Sequence, residues 1–226
     1  MTMTTNSGSA SGRVLVVTAV DAEKDAVQRG LGPDSRFDVL AGGVGPVAAA
    51  VSTATALATT KSGYDLVVSA GIGGGFAGRA GIGSLVVASE IIAADLGALT
   101  PEGFASVDEL GFGSARVPVD LDRAGRAVEA LRAAGLPVCL GPVLTLSTVT
   151  GTADTATELA QRVPGAAAEA MEGFGVAEAA RKHGLPVLEL RAISNPVGPR
   201  DRAAWRIGEA LAALEAAIKV LKEALR

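Results

Sequence analysis

Val14-Leu15-Val16-Val17-Thr18-Ala19-Val20-Asp21-Ala22-Glu23 passes from a continuous apolar run to an acidic helix start. An apolar run without alternation leaves no polar face, so this strand is buried on both sides, as in mostly parallel sheets covered by helices. Asp21 suits a helix N-cap and Glu23 its first turn. Outward from this unit the same order recurs. Val39 to Ala41 ends a second strand, and Gly42-Gly43-Val44-Gly45-Pro46 leads into an Ala-rich helix reaching about Thr60. Asp65 to Ala70 is a strand ending in Gly71-Ile72-Gly73-Gly74-Gly75, glycines that let a loop's backbone approach a ligand closely, the alternative being a tight turn without one. Ser84 to Ala94 and Val138 to Ser147 are long strands, with a helix from Leu121 to Ala134 between them, stopped by Gly135 and Pro137. Thr155 to Arg162 and Gly173 to His183 are helices, Val187 to Ser194 is a strand, and Ala203 to Leu225 is the closing helix. The pattern predicts an α/β fold with a central twisted sheet flanked by helices. The two long strands in the middle predict a sheet that curls or extends beyond a simple open one.

The 226 residues suffice for one substantial core. Met1 to Gly12 is rich in Ser, Thr and Gly and reads as a disordered lead-in, not a signal peptide, before one domain over residues 13–226. The net charge of −4, with no basic run, points away from nucleic acid and anionic membrane. No unbroken apolar stretch reaches the ~18 residues of a membrane span. A single cysteine, Cys139, excludes an internal disulfide framework and fits a reducing cytoplasm; it reads as a small buried hydrophobe. The single histidine, His183, sits at a helix end, where a cation is favoured. One Cys and one His argue against a zinc site or a Ser-His-Asp triad, so no metal is expected. The glycine run lacks the helix and acidic partner of a dinucleotide loop, and no Gly-Lys-Ser/Thr follows it, so no cofactor is expected either.

Three polar residues stand where a packed core would reject them. Glu172 follows a short apolar stretch in Ala170-Met171-Glu172-Gly173. Asn195 ends the strand Leu188-Glu189-Leu190-Arg191-Ala192-Ile193-Ser194, and Pro196 bars its continuation as helix. Ligands of α/β sheets bind where the carboxyl ends of strands meet loops. A carboxylate and a carboxamide at two such ends suit a neutral, hydroxyl-rich ligand with a heteroaromatic part. Glu23, just past the first strand, is a third candidate, able to take a proton from water. Each also has a structural role open to it: a helix start for Glu23 and Glu172, a turn for Asn195.

The acidic turn after the first strand, Gly42-Gly43-Val44-Gly45, Ser69-Ala70-Gly71-Ile72-Gly73-Gly74, Ala170-Met171-Glu172-Gly173 and Arg191-Ala192-Ile193-Ser194 occur in one order. Over about residues 13 to 225 that order resembles the purine nucleoside phosphorylase and nucleosidase superfamily, most closely its methylthioadenosine/S-adenosylhomocysteine nucleosidases. The resemblance implies a three-layer fold around a mixed twisted sheet and a cytoplasmic homo-oligomer acting on a small-molecule nucleoside and water. It implies that Glu172 holds the ribose 2′- and 3′-hydroxyls, that Met171 packs beside the ribose, and that Glu23 positions and deprotonates the attacking water. It places Ile72 and Gly73 on the water and ribose side, the backbone of Val149 on the base edge, and Asn195, with Ser194 before it, on the purine. Thr148 takes the place where many relatives have a stacking Phe. Phe104 and Phe112 are candidates to cover the 5′-substituent, or to lie in the core.

Adenine-releasing members carry Asp where this chain has Asn195. A protonated Asp donates to N7 and accepts from a 6-amino group; a carboxamide keeps a fixed donor, which suits a 6-oxopurine. Arg191-Ala192-Ile193-Ser194-Asn195 with Pro199 to Gly208 resembles the futalosine hydrolases of this superfamily, which implies release of hypoxanthine and dehypoxanthinyl futalosine. The superfamily's phosphorylases carry arginines at the loops matching Thr18 to Glu23 and Val67 to Gly74. Both stretches lack Arg and Lys here, so a phosphate dianion finds no partner and hydrolysis is favoured. A nucleosidase for methylthioadenosine, S-adenosylhomocysteine or another purine nucleoside, a phosphorylase, and a non-catalytic nucleoside-binding module are the alternatives.

Overall fold

The computed structural model describes residues 12–225, so all but the last residue of the Met1 to Gly12 lead-in lies outside the described residues. Every side chain of β1 (Val14–Thr18) is buried, as the apolar run requires. β1 pairs in parallel with β2 (Phe37–Ala41) on one side and β3 (Leu66–Gly75) on the other. β3 continues in parallel to β10 (Val187–Pro196), which pairs antiparallel with β4 (Leu85–Ala93). β4 runs parallel to β8 (Val138–Thr145), β8 parallel to β9 (Ala168–Ala170), and β9 antiparallel back to β3. β3, β10, β4, β8 and β9 thus close a ring, which is the curl expected of the long strands. β1 and β2 extend from β3, and β7 (Arg116–Pro118) from β4. β5 (Gly97–Thr100) and β6 (Gly103–Ser106) form a separate hairpin.

Helices flank this mixed sheet in two groups. α1 (Asp21–Leu31) and α3 (Leu121–Ala133) pack on α6 (Ile207–Ala224), and α2 (Pro46–Thr59) packs on α5 (Gly173–Lys182). α4 (Ala153–Arg162) follows β8. Local chemistry starts them: Pro46 opens α2, the Asp120 side chain caps α3, and Thr152 caps α4. Leu15, Leu85, Ile91, Leu144 and Ile193 are fully buried between the layers. Truncating one such residue to alanine typically costs about 2–5 kcal/mol.

Three local expectations are corrected. The strand does not end at Ala70 with a glycine loop after it: Gly71–Gly75 is the second half of β3, held by β10 on one side and, at Gly74 and Gly75, by β9 on the other. Ladder pairing with β10 throughout, and with β9 at the end, overrides the weak strand propensity of glycine. The closing helix begins at Ile207; a 3-10 turn at Arg202–Ala204, capped by Asp201, stands before it. Cys139 is half-buried, and burial pushes its thiol up. β5, β6, β7 and β9, of three or four residues each, were absent from the sequence pattern. His183 does cap the C-terminus of α5. Among the described residues no helix is long and apolar enough to cross a membrane.

Candidate functional site

β1, β3, β9 and β10 carry their carboxyl ends, or the loops next to them, to one cleft of ≈ 210 Å³. Glu23 reaches it from the first turn of α1. The α1 N-cap, Val20, has no side chain able to accept a hydrogen bond, so Glu23 at the third helical position reaches back instead. Its Oε2 accepts the Ala19 N–H at 2.8 Å and the Val20 N–H at 3.3 Å, and its Oε1 accepts the Ile72 N–H at 2.8 Å. The carboxylate is 4% exposed and thus spans from α1 to β3. Gly71 makes room for it: an added Cβ would lie 2.6 Å from Glu23 Oε1 and 2.8 Å from Arg191 Nη1.

Arg191, on β10, lies beneath the cleft and is fully buried. Nε donates to Glu189 Oε1 at 2.8 Å and Nη2 to the Ser69 hydroxyl at 3.0 Å, while Nη1 lies 3.5 Å from Glu172 Oε2. Burial works against its charge, but Glu189, Glu172 and Glu23 together more than offset that, and the guanidinium stays ionised. Burial likewise pushes the Glu189 carboxyl up, against the pull of Arg191. Glu189 Oε2 has no hydrogen-bond partner among the described residues, and it sits where a side chain at 173 would go. A Cβ at Gly173 would be 2.3 Å from either Glu189 oxygen. Glu172, beside it, is the N-cap of α5, but its carboxylate turns away from that helix. Oε1 accepts the Gly45 N–H at the start of α2 at 3.1 Å, and Oε2 accepts the Met171 N–H at 3.3 Å. The positive end of α2 favours its charge.

At the other end the β10–β3 register shifts between Ile193 and Asn195, leaving Ser194 as a bulge. Bulges re-aim side chains, and here two consecutive polar residues both serve the cleft. The Ser194 hydroxyl donates to Asn195 Oδ1 at 2.8 Å, and Asn195 Nδ2 donates to the Pro196 carbonyl at 2.9 Å. A carbonyl can only accept, so Pro196 settles which side of the amide is nitrogen. One Nδ2 hydrogen is left for a ligand.

Glu23, Glu172, Met171, Ile72 and Gly73 line the cleft together, and Val149, Ser194 and Asn195 complete that set. Thr148 is exposed and lies outside the lining. Phe104 sits under the Arg162 guanidinium, 4.1 Å from its ring centroid, and Phe112 is 82% exposed; neither lines the cleft. Among the lining residues that sequence reasoning did not single out, two bear on the chemistry. Trp205, after the 3-10 turn, is the one aromatic among the described lining residues. Its place in a Pro- and Arg-rich segment gave no periodic signal. Glu169, a lone acid in Ala166-Ala167-Ala168-Glu169-Ala170, is buried there with its carboxyl pushed up by desolvation. An unpaired acid in an alanine run was the available signal.

The family model of the Phosphorylase superfamily matches residues 32–226. The futalosine hydrolase of Streptomyces coelicolor is 58% identical over 94% of this chain and 96% of its own length. That of Acidothermus cellulolyticus is 45% identical over 92% of this chain and 89% of its own. Among solved structures, the methylthioadenosine/S-adenosylhomocysteine nucleosidase of Neisseria meningitidis in complex with methylthio-immucillin-A superposes with a TM-score of 0.81. It is 21% identical, with 94% of this chain and 99% of that one covered, and this likeness shows the fold alone.

Proposed function

The chain belongs to the phosphorylase superfamily and, within it, to the futalosine hydrolases, and we propose that Glu23 and Asn195 work from opposite ends of the cleft. The reaction is hydrolysis of the N-glycosidic bond of futalosine, giving hypoxanthine and dehypoxanthinyl futalosine. The observation that carries the assignment of roles is the Glu23 carboxylate. Three backbone N–H groups hold it and occupy three of its roughly four lone-pair sites. The site left open is on Oε1, the oxygen beside Gly71 and Ile72. A water bound there gives its proton to Glu23 as its oxygen bonds to C1′. The C1′–N9 bond breaks with an oxocarbenium-like ribose, and its electron pair leaves on the purine, spread toward N7 and O6. The free Asn195 N–H stabilises that charge, hypoxanthine departs after taking a proton from solvent, and Glu23 returns its proton to solvent. Glu172 holds the ribose hydroxyls, with Met171 packed alongside. Ile72 and Gly73 border the water, and the Val149 backbone borders the base. Ser194 acts through Asn195, whose amide it orients. Trp205 supplies the aromatic surface that Thr148 lacks.

Water is favoured over phosphate by charge. No Arg or Lys lines the cleft among the described residues, and Arg191 beneath it is already surrounded by Glu23, Glu172 and Glu189. A phosphate dianion would meet carboxylates first. We further propose that residues 13–226 act as one domain in the cytoplasm, as a homo-oligomer that covers the exposed Val44, Val47 and Val51 around the start of α2. The deciding experiment is product chromatography with futalosine, inosine and methylthioadenosine, in phosphate-free buffer and at high phosphate. Hypoxanthine should appear from futalosine in both buffers. A strict phosphate requirement, with a ribose 1-phosphate-type product, overturns hydrolysis; binding of hypoxanthine with no base release overturns catalysis.

A further inference from the structure

Glu169 is the middle residue of β9, 5% exposed, and the reaction above leaves it without a task. Its carboxylate accepts the Thr150 N–H at 2.8 Å and the Thr150 hydroxyl, and neither partner is a cation. Burying a carboxylate on neutral donors is costly, and a neutral glutamine would hold Thr150 at less cost. The charge therefore calls for a further donor, and the register of the sheet shows where that donor would lie.

Asn195 pairs with Gly74 across β10 and β3, and Glu169 pairs with the same Gly74 across β3 and β9. Residues in register on neighbouring strands project from one face of a sheet. Asn195 and Glu169 therefore stand in one row, with their Cα atoms two strand spacings apart, ~9–10 Å. Gly74 puts no side chain between them; a Cβ there would lie 3.2 Å from Asn195 Nδ2. The Ser194 bulge creates this row, since an unbulged strand would set Ser194 opposite Gly74. A flat heterocycle over Gly74 meets an amide donor at one edge and a carboxylate acceptor at the other.

A 6-oxopurine is complementary to that pair: O6 and N7 accept, and N1–H donates. A 6-aminopurine turns an N1 lone pair toward the carboxylate and is repelled. The geometry points to Glu169 as a second base-reading residue, which takes the N1–H of the 6-oxopurine while Asn195 donates to its O6 and N7 side. This rests on the hydrolase reading and assigns it a specificity-determining residue. The two Thr150 bonds leave about two lone-pair sites on the carboxylate for the N1–H.

Glu169→Gln separates base reading from bracing. The glutamine carbonyl can take the Thr150 N–H and its amide can donate to the Thr150 hydroxyl, so the brace survives, but its second N–H now faces N1. Expected is a fall of about 10- to 100-fold in kcat/KM for futalosine, with the 6-amino analogue unchanged or improved. A futalosine-to-analogue ratio within about twofold of wild type, less than one lost hydrogen bond is worth, overturns the assignment. Thr150→Val, which keeps the carboxylate, should preserve the ratio; its collapse there, with Glu169→Gln normal, also overturns the assignment. The wild-type protein gives a check that needs no variant. 1-Methylhypoxanthine, which lacks the N1–H, should bind at least about tenfold more weakly than hypoxanthine by calorimetry, and equal binding overturns the proposal. Wild-type enzyme that releases no hypoxanthine from futalosine overturns the hydrolase reading itself, which keeps the two failures distinct.

Discussion

At and beneath one end of the cleft, the proposed ribose end, three carboxylates, Glu23, Glu172 and Glu189, crowd the one guanidinium of Arg191. At the proposed base end an amide, a hydroxyl and the carboxylate of Glu169 stand with no cation bonded to them among the described residues. In the proposed reaction opposite charges develop at the two ends. The ribose becomes cationic as the bond breaks, and an anionic surround stabilises it. The base leaves with electron density, and a fixed neutral donor stabilises that while still distinguishing one purine edge from another. Arg191 belongs to the charged end as a counter-ion, not as a ligand. It lets carboxylates be buried close together, and the glycines at 71 and 173 admit the crowding.

The sharpest test of that division is Glu23→Gln. The substitution keeps size and removes the base, so kcat should fall about 10²–10⁴-fold. KM and the hypoxanthine-induced shift in melting temperature should hardly move, because the base end is untouched. Full turnover in steady-state assays would take Glu23 out of the mechanism.

Arg191→Met tests the counter-ion role. Removing one partner of a buried ion pair leaves uncompensated charge, so urea denaturation should register a loss of about 3–5 kcal/mol. Arg116→Met, which breaks the more exposed pair with Glu90, should cost no more than about 1 kcal/mol. Equal losses would mean that the buried cluster carries no special charge balance.

Asn195→Asp acts at the base end alone. A carboxyl that can be protonated serves N7 and a 6-amino group together, so the ratio of kcat/KM for futalosine to that for its 6-amino analogue should drop by about tenfold or more. An unchanged ratio would remove Asn195 from base reading. The smallest effect is expected of Ser194→Ala. The amide loses one neutral hydrogen bond, worth ~1 kcal/mol, so the same ratio should drop only a few-fold. A loss as large as that of Glu23→Gln would mean that the hydroxyl touches the substrate directly.

The strands that sequence made legible are the long buried ones. Val14–Val17 is apolar without interruption because both its faces are covered, and that pattern needs no partner to be recognised; Leu188–Ile193 reads as strand although its apolar residues alternate with the buried Glu189 and Arg191. β9 escaped because three residues inside an alanine run have no measurable period. The Gly71–Gly75 half of β3 escaped because glycine carries no pattern at all, and what makes it strand is pairing with β10 along its length and with β9 at Gly74 and Gly75. Glu23, Glu172 and Asn195 were legible as polar groups beside apolar runs. Glu169 was not, although it is as buried as they are, because its meaning depends on Gly74 and Asn195 across the sheet.

The sequence by itself determined the order of the longer strands and of the helices, the acids at Glu23 and Glu172, and the amide at Asn195, because periodicity, capping and residue type are local properties. Only the tertiary structure decided that the ring of strands closes, that Arg191 is enclosed by three acids, and that Asn195 and Glu169 both pair in register with Gly74. Those facts depend on register between segments far apart in the chain. A one-residue shift, such as the Ser194 bulge, changes which side chains share a row without changing a single local preference.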